Sequence, residues 1–364
     1  MFLQPMKDIS LIKMKIIFYS LLTLSILMFI TCNSPQKDTV DQNKKGAFII
    51  HAKDNKKMLW IPSGRFKMGA SQEGEYQREY PAHLVEVNGF WMDQTEVTNR
   101  EFMKFVEATG YVTVAERSIS WEELKKQTPP GTPKPPDSVL MPGSIVFNAP
   151  EFVNGLHDYS QWWKWTIDAS WKAPYGSGSS IDSILDHPVV HVCLEDAKAY
   201  CDWAGKRLPT EAEWEFAARG GLDGKRFTWG DEDPLNNPKL ANIWQGEFPI
   251  NNTAEDGFIG TSPVGSFQAN NYDLLDMTGN VWEWVSDVFN ENYYSELSHI
   301  TLCKNPKGAE RSFDSREPYA VKYVNKGGSF LCHVSYCENY RPSAREGTTP
   351  DSGMSHLGFR TVLN

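Results

Sequence analysis

Trp203-Ala204-Gly205-Lys206-Arg207-Leu208-Pro209-Thr210-Glu211-Ala212-Glu213-Trp214-Glu215 closes one helix and opens another in a single short span. Gly205 supplies the left-handed residue on which helices commonly end. Behind it, residues 195–204 place apolar or small side chains at Ala197, Tyr200, Cys201 and Ala204. Ahead of it, Thr210 and Glu213 have the spacing of a capping box, in which hydroxyl and carboxylate satisfy each other's backbone amides. That predicts a helix from Thr210 to about Arg219, stopped by Gly220-Gly221. The same punctuation recurs at Thr98-Asn99-Arg100-Glu101, which opens residues 102–108 with Gly110 beyond. Between these lie short alternating runs, residues 84–87 and 188–192, that read as strands. Residues 118–144 carry Pro129-Pro130, Pro133 and Pro135-Pro136, cannot continue a helix or central strand, and read as a surface insertion. Short helices, short strands and much irregular backbone make the fold class α+β, loop-rich and without tandem repeats.

Composition agrees. Thirteen Trp and 13% aromatics can fill a substantial core in a chain of 364 residues, while 27 Gly and 22 Pro disfavour long helices. A net charge of -10 with no basic stripe excludes a nucleic-acid binder. Zinc-protease chemistry is excluded too, because the residues between His187 and His191 include Pro188 and no glutamate. Gly176-Ser177-Gly178 lacks the rest of a phosphate loop, and no G-x-S-x-G nucleophile context occurs.

The N-terminus reads as an export signal. Lys13 and Lys15 precede an apolar run, residues 16–30, that is the length of a signal-peptide core and short for a spanning helix. Thr31-Cys32 at its end resembles a lipobox, which makes Cys32 a lipidation site; Met14 is an alternative start, and a retained anchor is the competing reading. Residues 1–32 are thus assigned as signal peptide, 33–57 as a polar tether, and 58–364 as one folded domain. With Cys32 lipidated, Cys193, Cys201, Cys303, Cys332 and Cys337 remain, an odd number that cannot all pair within the chain.

Chemistry concentrates near the C-terminus, in Lys326-Gly327-Gly328-Ser329-Phe330-Leu331-Cys332-His333-Val334-Ser335-Tyr336-Cys337. Paired thiolates suit copper(I), a soft ion that tolerates low coordination. A structural disulfide is the other reading of that spacing in an exported protein.

The segment, with Trp60-Ile61-Pro62-Ser63-Gly64, Asp93-Gln94-Thr95-Glu96-Val97-Thr98-Asn99, Gly279-Asn280-Val281-Trp282-Glu283-Trp284 and Leu357-Gly358-Phe359-Arg360, resembles the formylglycine-generating enzymes from about Met58 to the C-terminus. The resemblance implies a C-type-lectin-like fold and a copper-dependent oxidase that turns a sulfatase cysteine into Cα-formylglycine with molecular oxygen. Its client would be an unfolded Cys-x-Pro-x-Arg-type segment. It implies copper(I) on Cys332 and Cys337, with Ser329, His333, Tyr336 and Trp282 around the substrate. It further implies calcium at Asn242, Ile243, Asp256 and Phe258, and again at Asp276, Gly279, Val281 and Glu283. Two family disulfides are missing, since Thr361 stands where Cys201's partner would be and Ala218 and Pro342 replace the other pair. A monomer, lipid-anchored in the bacterial cell envelope on the periplasmic side, is expected. The alternative is a non-catalytic envelope adaptor of the same fold, which would have no use for the cysteine pair. Arg341 and Arg345 are donors for a bound peptide or, equally, structural ion-pair partners.

Overall fold

The computed structural model describes residues 46–364 apart from 71, 73 and 74; the export segment, Cys32 and the remainder of residues 1–45 lie outside the described residues. Five strands come first: β1 (Phe48–Ile50), β2 (Lys57–Ile61), β3 (Gly64–Met68), β4 (His83–Val87) and β5 (Phe90–Asp93). Helices α1 (Asn99–Thr109) and α2 (Trp121–Leu124) follow, then the hairpin β6 (Gly143–Phe147) and β7 (Trp163–Ile167). Helices α3 (Leu194–Ala204) and α4 (Glu211–Arg219) lead to the small pair β8 (Gly246–Glu247) and β9 (Asn251–Asn252). The chain closes with β10 (Trp282–Val288), helix α5 (Tyr293–Leu297), β11 (Cys303–Lys304), β12 (Tyr323–Lys326), β13 (Glu346–Thr348), β14 (Leu357–Gly358) and β15 (Val362–Leu363).

Short strands give small sheets. One orders its strands β1-β2-β5-β15, a second β13-β12-β10-β14, and a third β11-β4-β3. Because β15 pairs with β5, the C-terminus closes the sheet that the N-terminal strands begin. Helix α4 carries Trp214, Phe216, Ala217 and Ala218 into one core with Phe66, Val85, Val285 and Val324. Gly64 of β3 has no side chain because a Cβ there would lie 2.7 Å from the Phe216 ring. A second core gathers Phe102 and Phe105 of α1, Tyr200 of α3 and Phe359, with edge-to-face rings 5.2–6.5 Å apart. Full burial of rings of this size stabilises by about 2–3 kcal/mol each.

The helix punctuation holds. Thr98 Oγ1 accepts from the Glu101 amide at 3.2 Å while Glu101 returns a bond to the Thr98 amide at 2.8 Å. Thr210 and Glu213 repeat the exchange at 3.2 and 2.8 Å. Such a cap stabilises by about 1 kcal/mol. Gly110, Gly205 and Gly220 close their helices at φ 67°, 74° and 55°.

Two expectations are corrected, and one that was open between two readings is decided. Residues 46–57 belong to the domain rather than to a tether: β1 pairs with β2, and Asp54 and Lys56 between them are buried ion-pair anchors. Lys56 Nζ reaches the Glu96 carbonyl at 2.7 Å and Glu101 at 2.8 Å, and Asp54 takes Lys206 Nζ at 2.6 Å. Residues 188–192 do not form a strand beyond one bridge from Pro188 to Thr98, because His191 turns the backbone at φ 60°. Arg341 and Arg345 are buried structural partners, bidentate on Glu79 and Glu211 at 2.7–2.9 Å, and not free donors. Among the described residues no helix is long and apolar enough to cross a membrane.

Candidate functional site

Strand β12 delivers the chain to Gly327 and Gly328, both at positive φ (91° and 68°). A Cβ on Gly328 would sit 2.8 Å from the Tyr340 amide, so only glycine lets the loop fold back so closely. Residues 329–337 then coil tightly, with the Cys332 amide on the Ser329 carbonyl (2.9 Å) and the Cys337 amide on the His333 carbonyl (2.7 Å). That coil brings the Cys332 and Cys337 sulfurs to 2.8 Å, and neither is in a disulfide. Cys193, Cys201 and Cys303 are also free and buried. Where the family would bridge Cys201, Thr361 instead gives its amide and hydroxyl to Asp93.

The two thiols differ. Burial pushes the Cys332 thiol well up, and donating its S–H to Cys337 adds to that, although Ser329 pulls the other way. Receiving that hydrogen bond holds Cys337 below the ordinary range, with help from Asn339, whose Nδ2 lies 3.2 Å from the sulfur. Side by side in a buried pocket, one thiol is thus shifted toward the protonated form and the other toward the thiolate, and a soft cation would displace protons from both.

Tyr336 stacks on Phe248 at 4.6 Å and meets the edge of Trp162 at 5.5 Å, leaving one side of its ring exposed. Burial lifts its hydroxyl to about 12. Trp282 is buried in the cluster that also holds Cys332 and Tyr340. Ser329 is buried and accepts the Leu331 amide at 3.2 Å. The His333 ring turns toward Ser335 at 2.8 Å rather than toward either sulfur. Three of the expected residues, Ser329, Tyr336 and Trp282, therefore lie at the sulfurs or their pocket, while the His333 ring faces its own loop. Neither Asn339 nor Trp162 was marked by the sequence, because each acts through a contact that spacing does not encode.

The loop is laced to its neighbours. The Trp244 amide donates to the Cys332 carbonyl at 3.1 Å, and the Phe330 amide to the Asn280 carbonyl at 3.0 Å. Both supports belong to oxygen-rich loops. In the first, Asn242 gives its amide nitrogen to the Gly260 carbonyl at 2.9 Å, leaving Oδ1 buried without a partner. Asp256 takes the Phe258 amide on Oδ1 at 2.9 Å and leaves Oδ2 equally orphaned; burial raises its carboxyl. Ile243 and Phe258 lie in the same two segments. Two unclaimed hard oxygens fit a calcium ion.

The second loop fits in a different way. Asp276 has Oδ2 on the Gly265 amide and Oδ1 orphaned, and burial lifts it to about 6. Glu283 accepts Arg360 on both oxygens at 2.7 Å and the Trp214 indole on Oε2 at 2.8 Å, which leaves Oε1 with a lone pair for a cation. A further free oxygen is Glu96 Oε2, on a fully buried carboxyl that burial and Asp276 push well above its ordinary range. The Gly279 backbone, at φ 76°, packs so closely that a Cβ would fall 2.2 Å from the Asn242 carbonyl, joining the two loops. Among the described residues no three His, Cys, Asp or Glu side chains gather as one metal cluster, so amide and carbonyl oxygens would complete either site.

Comparisons with known proteins agree with this geometry. The profile of the sulfatase-modifying factor enzyme 1-like domain matches residues 46–364. The chain is 44% identical over 312 residues to the formylglycine-generating enzyme of Thermomonospora curvata, covering 85% of this chain and 94% of that protein. It is 38% identical to the inactive Cα-formylglycine-generating enzyme 2 of Mus musculus, over 85% of this chain and 86% of that one. The structure of PvdO from Pseudomonas aeruginosa superposes with a TM-score of 0.58 at 24% identity, covering 88% of this chain and 99% of that one, a likeness of fold.

Proposed function

The chain belongs to the sulfatase-modifying factor enzyme 1-like family, and from that premise we propose that it is a formylglycine-generating oxidase acting on a sulfatase cysteine. The observation that carries the reading is the pair of sulfurs 2.8 Å apart beside an exposed tyrosine. Since relatives include an inactive one, the thiol pair and not the fold bears the weight.

Cys332 and Cys337 would hold copper(I), which when bound supplies an open position for a third sulfur and a one-electron route to oxygen. The chain's own residues do the rest. Tyr336, fixed by Phe248 and Trp162, offers an aromatic face and a hydroxyl to the incoming Cys-x-Pro-x-Arg-type segment. Trp282 and Tyr340 keep water from the buried side of the pocket. Ser329 holds the turn that carries Cys332. In balance, R–CH2–SH loses two electrons and two protons to become R–CH=S. Oxygen takes them up as hydrogen peroxide, or as water when a thiol reductant adds two more electrons and two protons. Water then converts the C=S bond to the aldehyde and releases hydrogen sulfide.

Calcium at Asn242/Asp256, and at Asp276/Glu283 with Glu96 beside them, would brace the loops that hold the cysteine segment. The sequence of residues 13–32 further supports export and lipid anchoring of a monomer at Cys32. Loss of membrane association in Cys32→Ser checks that point.

The test mixes purified protein, copper(I), oxygen, a thiol reductant and a Cys-x-Pro-x-Arg peptide, and reads the aldehyde by mass spectrometry. Conversion that disappears in Cys332→Ala and in Cys337→Ala, with melting temperature unchanged, is expected. Peptides returned unchanged would favour the adaptor; near-normal turnover in either variant would refute the site.

A further inference from the structure

The side of Cys337 away from Cys332 is built by a part of the chain far from it in sequence. Asn339 Nδ2 lies 3.2 Å from the Cys337 sulfur, and Asn339 is buried. Its other amide atom, Oδ1, faces Arg78 Nη2 at 3.5 Å. Arginine only donates, so its charge selects oxygen for its own side and leaves the amide N–H pointing at sulfur. The reverse orientation would set an oxygen lone pair against a thiolate.

Arg78 is itself held on several sides. Its Nε donates to the Arg345 carbonyl at 2.6 Å, its Nη2 to Glu346 at 2.9 Å, and its guanidinium lies 4.3 Å over the Tyr76 ring. Glu346 is pinned in turn by Arg316 and by the Gly347 amide at 3.0 Å. Arg78 therefore stands where it can shield the Cys337 sulfur from the Glu346 carboxylate. None of these contacts is needed to close the loop, which its own backbone turns already do.

We propose that Asn339 and Arg78 are positioning residues for Cys337: Arg78 orients the Asn339 amide and screens Glu346, and Asn339 fixes the sulfur for the soft metal. The inference rests on the reading of the thiol pair as a copper(I) site. Outer partners that orient a metal ligand typically change affinity by about 10–100-fold when removed. A clamp acting as one chain also predicts that its members' effects do not add.

The test is competition between the metal-free protein and a chromogenic copper(I) chelator. Asn339→Ala and Arg78→Ala should each weaken retention by about 10-fold or more. The double variant should be no weaker than the poorer single one. Arg78→Lys, which keeps the charge but loses the fork, should fall between. Glu346→Gln added to Arg78→Ala should recover part of the loss, a rescue that general loosening would not give. Asn339→Asp, of nearly the same shape, guards against a packing effect and should be the weakest single variant. Melting temperatures check folding. Wild-type protein that retains no copper overturns the site reading and the clamp with it. Wild-type protein that retains copper, alongside variants that match it or add independently, overturns the clamp alone.

Discussion

Replacing Arg360 by Gln gives the sharpest test of the buried charge beneath the site. Arg360 is fully buried, with two 2.7 Å bonds to Glu283 and further ones to the Leu275 and Gln94 carbonyls at 3.0 and 3.2 Å. Glu96 lies 3.9 Å from the same guanidinium, and Asp276 is in the same pocket. Removing one partner of such a pair costs about 3–5 kcal/mol, because the other charge stays buried. A second route gives a similar ceiling. The stranded carboxylate can escape by taking a proton, which for an ordinary carboxyl at pH 7.5 costs about 4 kcal/mol and at pH 5.5 about 1.5 kcal/mol. The urea-unfolding free energy of the variant should therefore fall by about 3–5 kcal/mol at pH 7.5 in chelator, and by much less at pH 5.5. Calcium should also shrink the deficit, since a more anionic pocket binds a divalent cation more tightly and gains more from it. A deficit below about 1 kcal/mol at pH 7.5, or one indifferent to both pH and calcium, would refute the charge argument.

Asp256→Ala should lower the melting temperature in calcium and shrink its response to a carboxylate chelator to what the second site contributes, because the orphaned oxygen is a proposed ligand; calorimetry with and without chelator decides. A copper(I) chelator should stop peptide oxidation with little change in melting temperature, since that ion would span only one short loop; unfolding on copper removal would make the pair structural. Asp287 accepts the Glu211 amide at 2.9 Å at the start of α4, and burial together with the Glu211 carboxylate lifts it from 3.8 to about 7. A carboxyl raised in the fold contributes stability below its unfolded value and loses it as pH climbs through the folded one. That loss is up to about 4 kcal/mol between pH 4 and 8. Asp287→Asn should flatten that slope and be the more stable protein at pH 8, as urea melts at several pH values would reveal.

What the sequence made legible was local. Thr98/Glu101 and Thr210/Glu213 exchange bonds across three residues, and Gly110, Gly205 and Gly220 take conformations that other residues avoid, so pattern and structure coincide. The cysteine pair was legible for the same reason, since its geometry is made by one short coil. Partners far away in the chain were not. Lys56 and Asp54 look like tether charges until Glu101 and Lys206 arrive to bind them. That Glu283 also anchors Arg360 is written nowhere near it in the sequence, and Glu96 surfaces only when its oxygen is found without a partner. Residues 188–192 alternate as a strand would, yet Gly353 presses so closely on the His191 carbonyl (a Cβ would lie 2.7 Å away) that the chain turns there.

The two amide bonds that tether the cysteine coil, Trp244 to the Cys332 carbonyl and Phe330 to the Asn280 carbonyl, give the molecule an order of failure. Both anchor points sit on the oxygen-lined loops, so slackening of those loops would reach the cysteine coil directly. A protein starved of calcium would thus fall silent while still folded, and its first symptom would be faster hydrogen exchange at the Trp244 and Phe330 amides. Starvation of copper would carry less of a signal backwards, because that ion would span only one short coil. The dependence would run one way: with both ions bound as proposed, the hard cation would act as a fuse for the soft one, and its loss would switch off the thiol site without unfolding the chain.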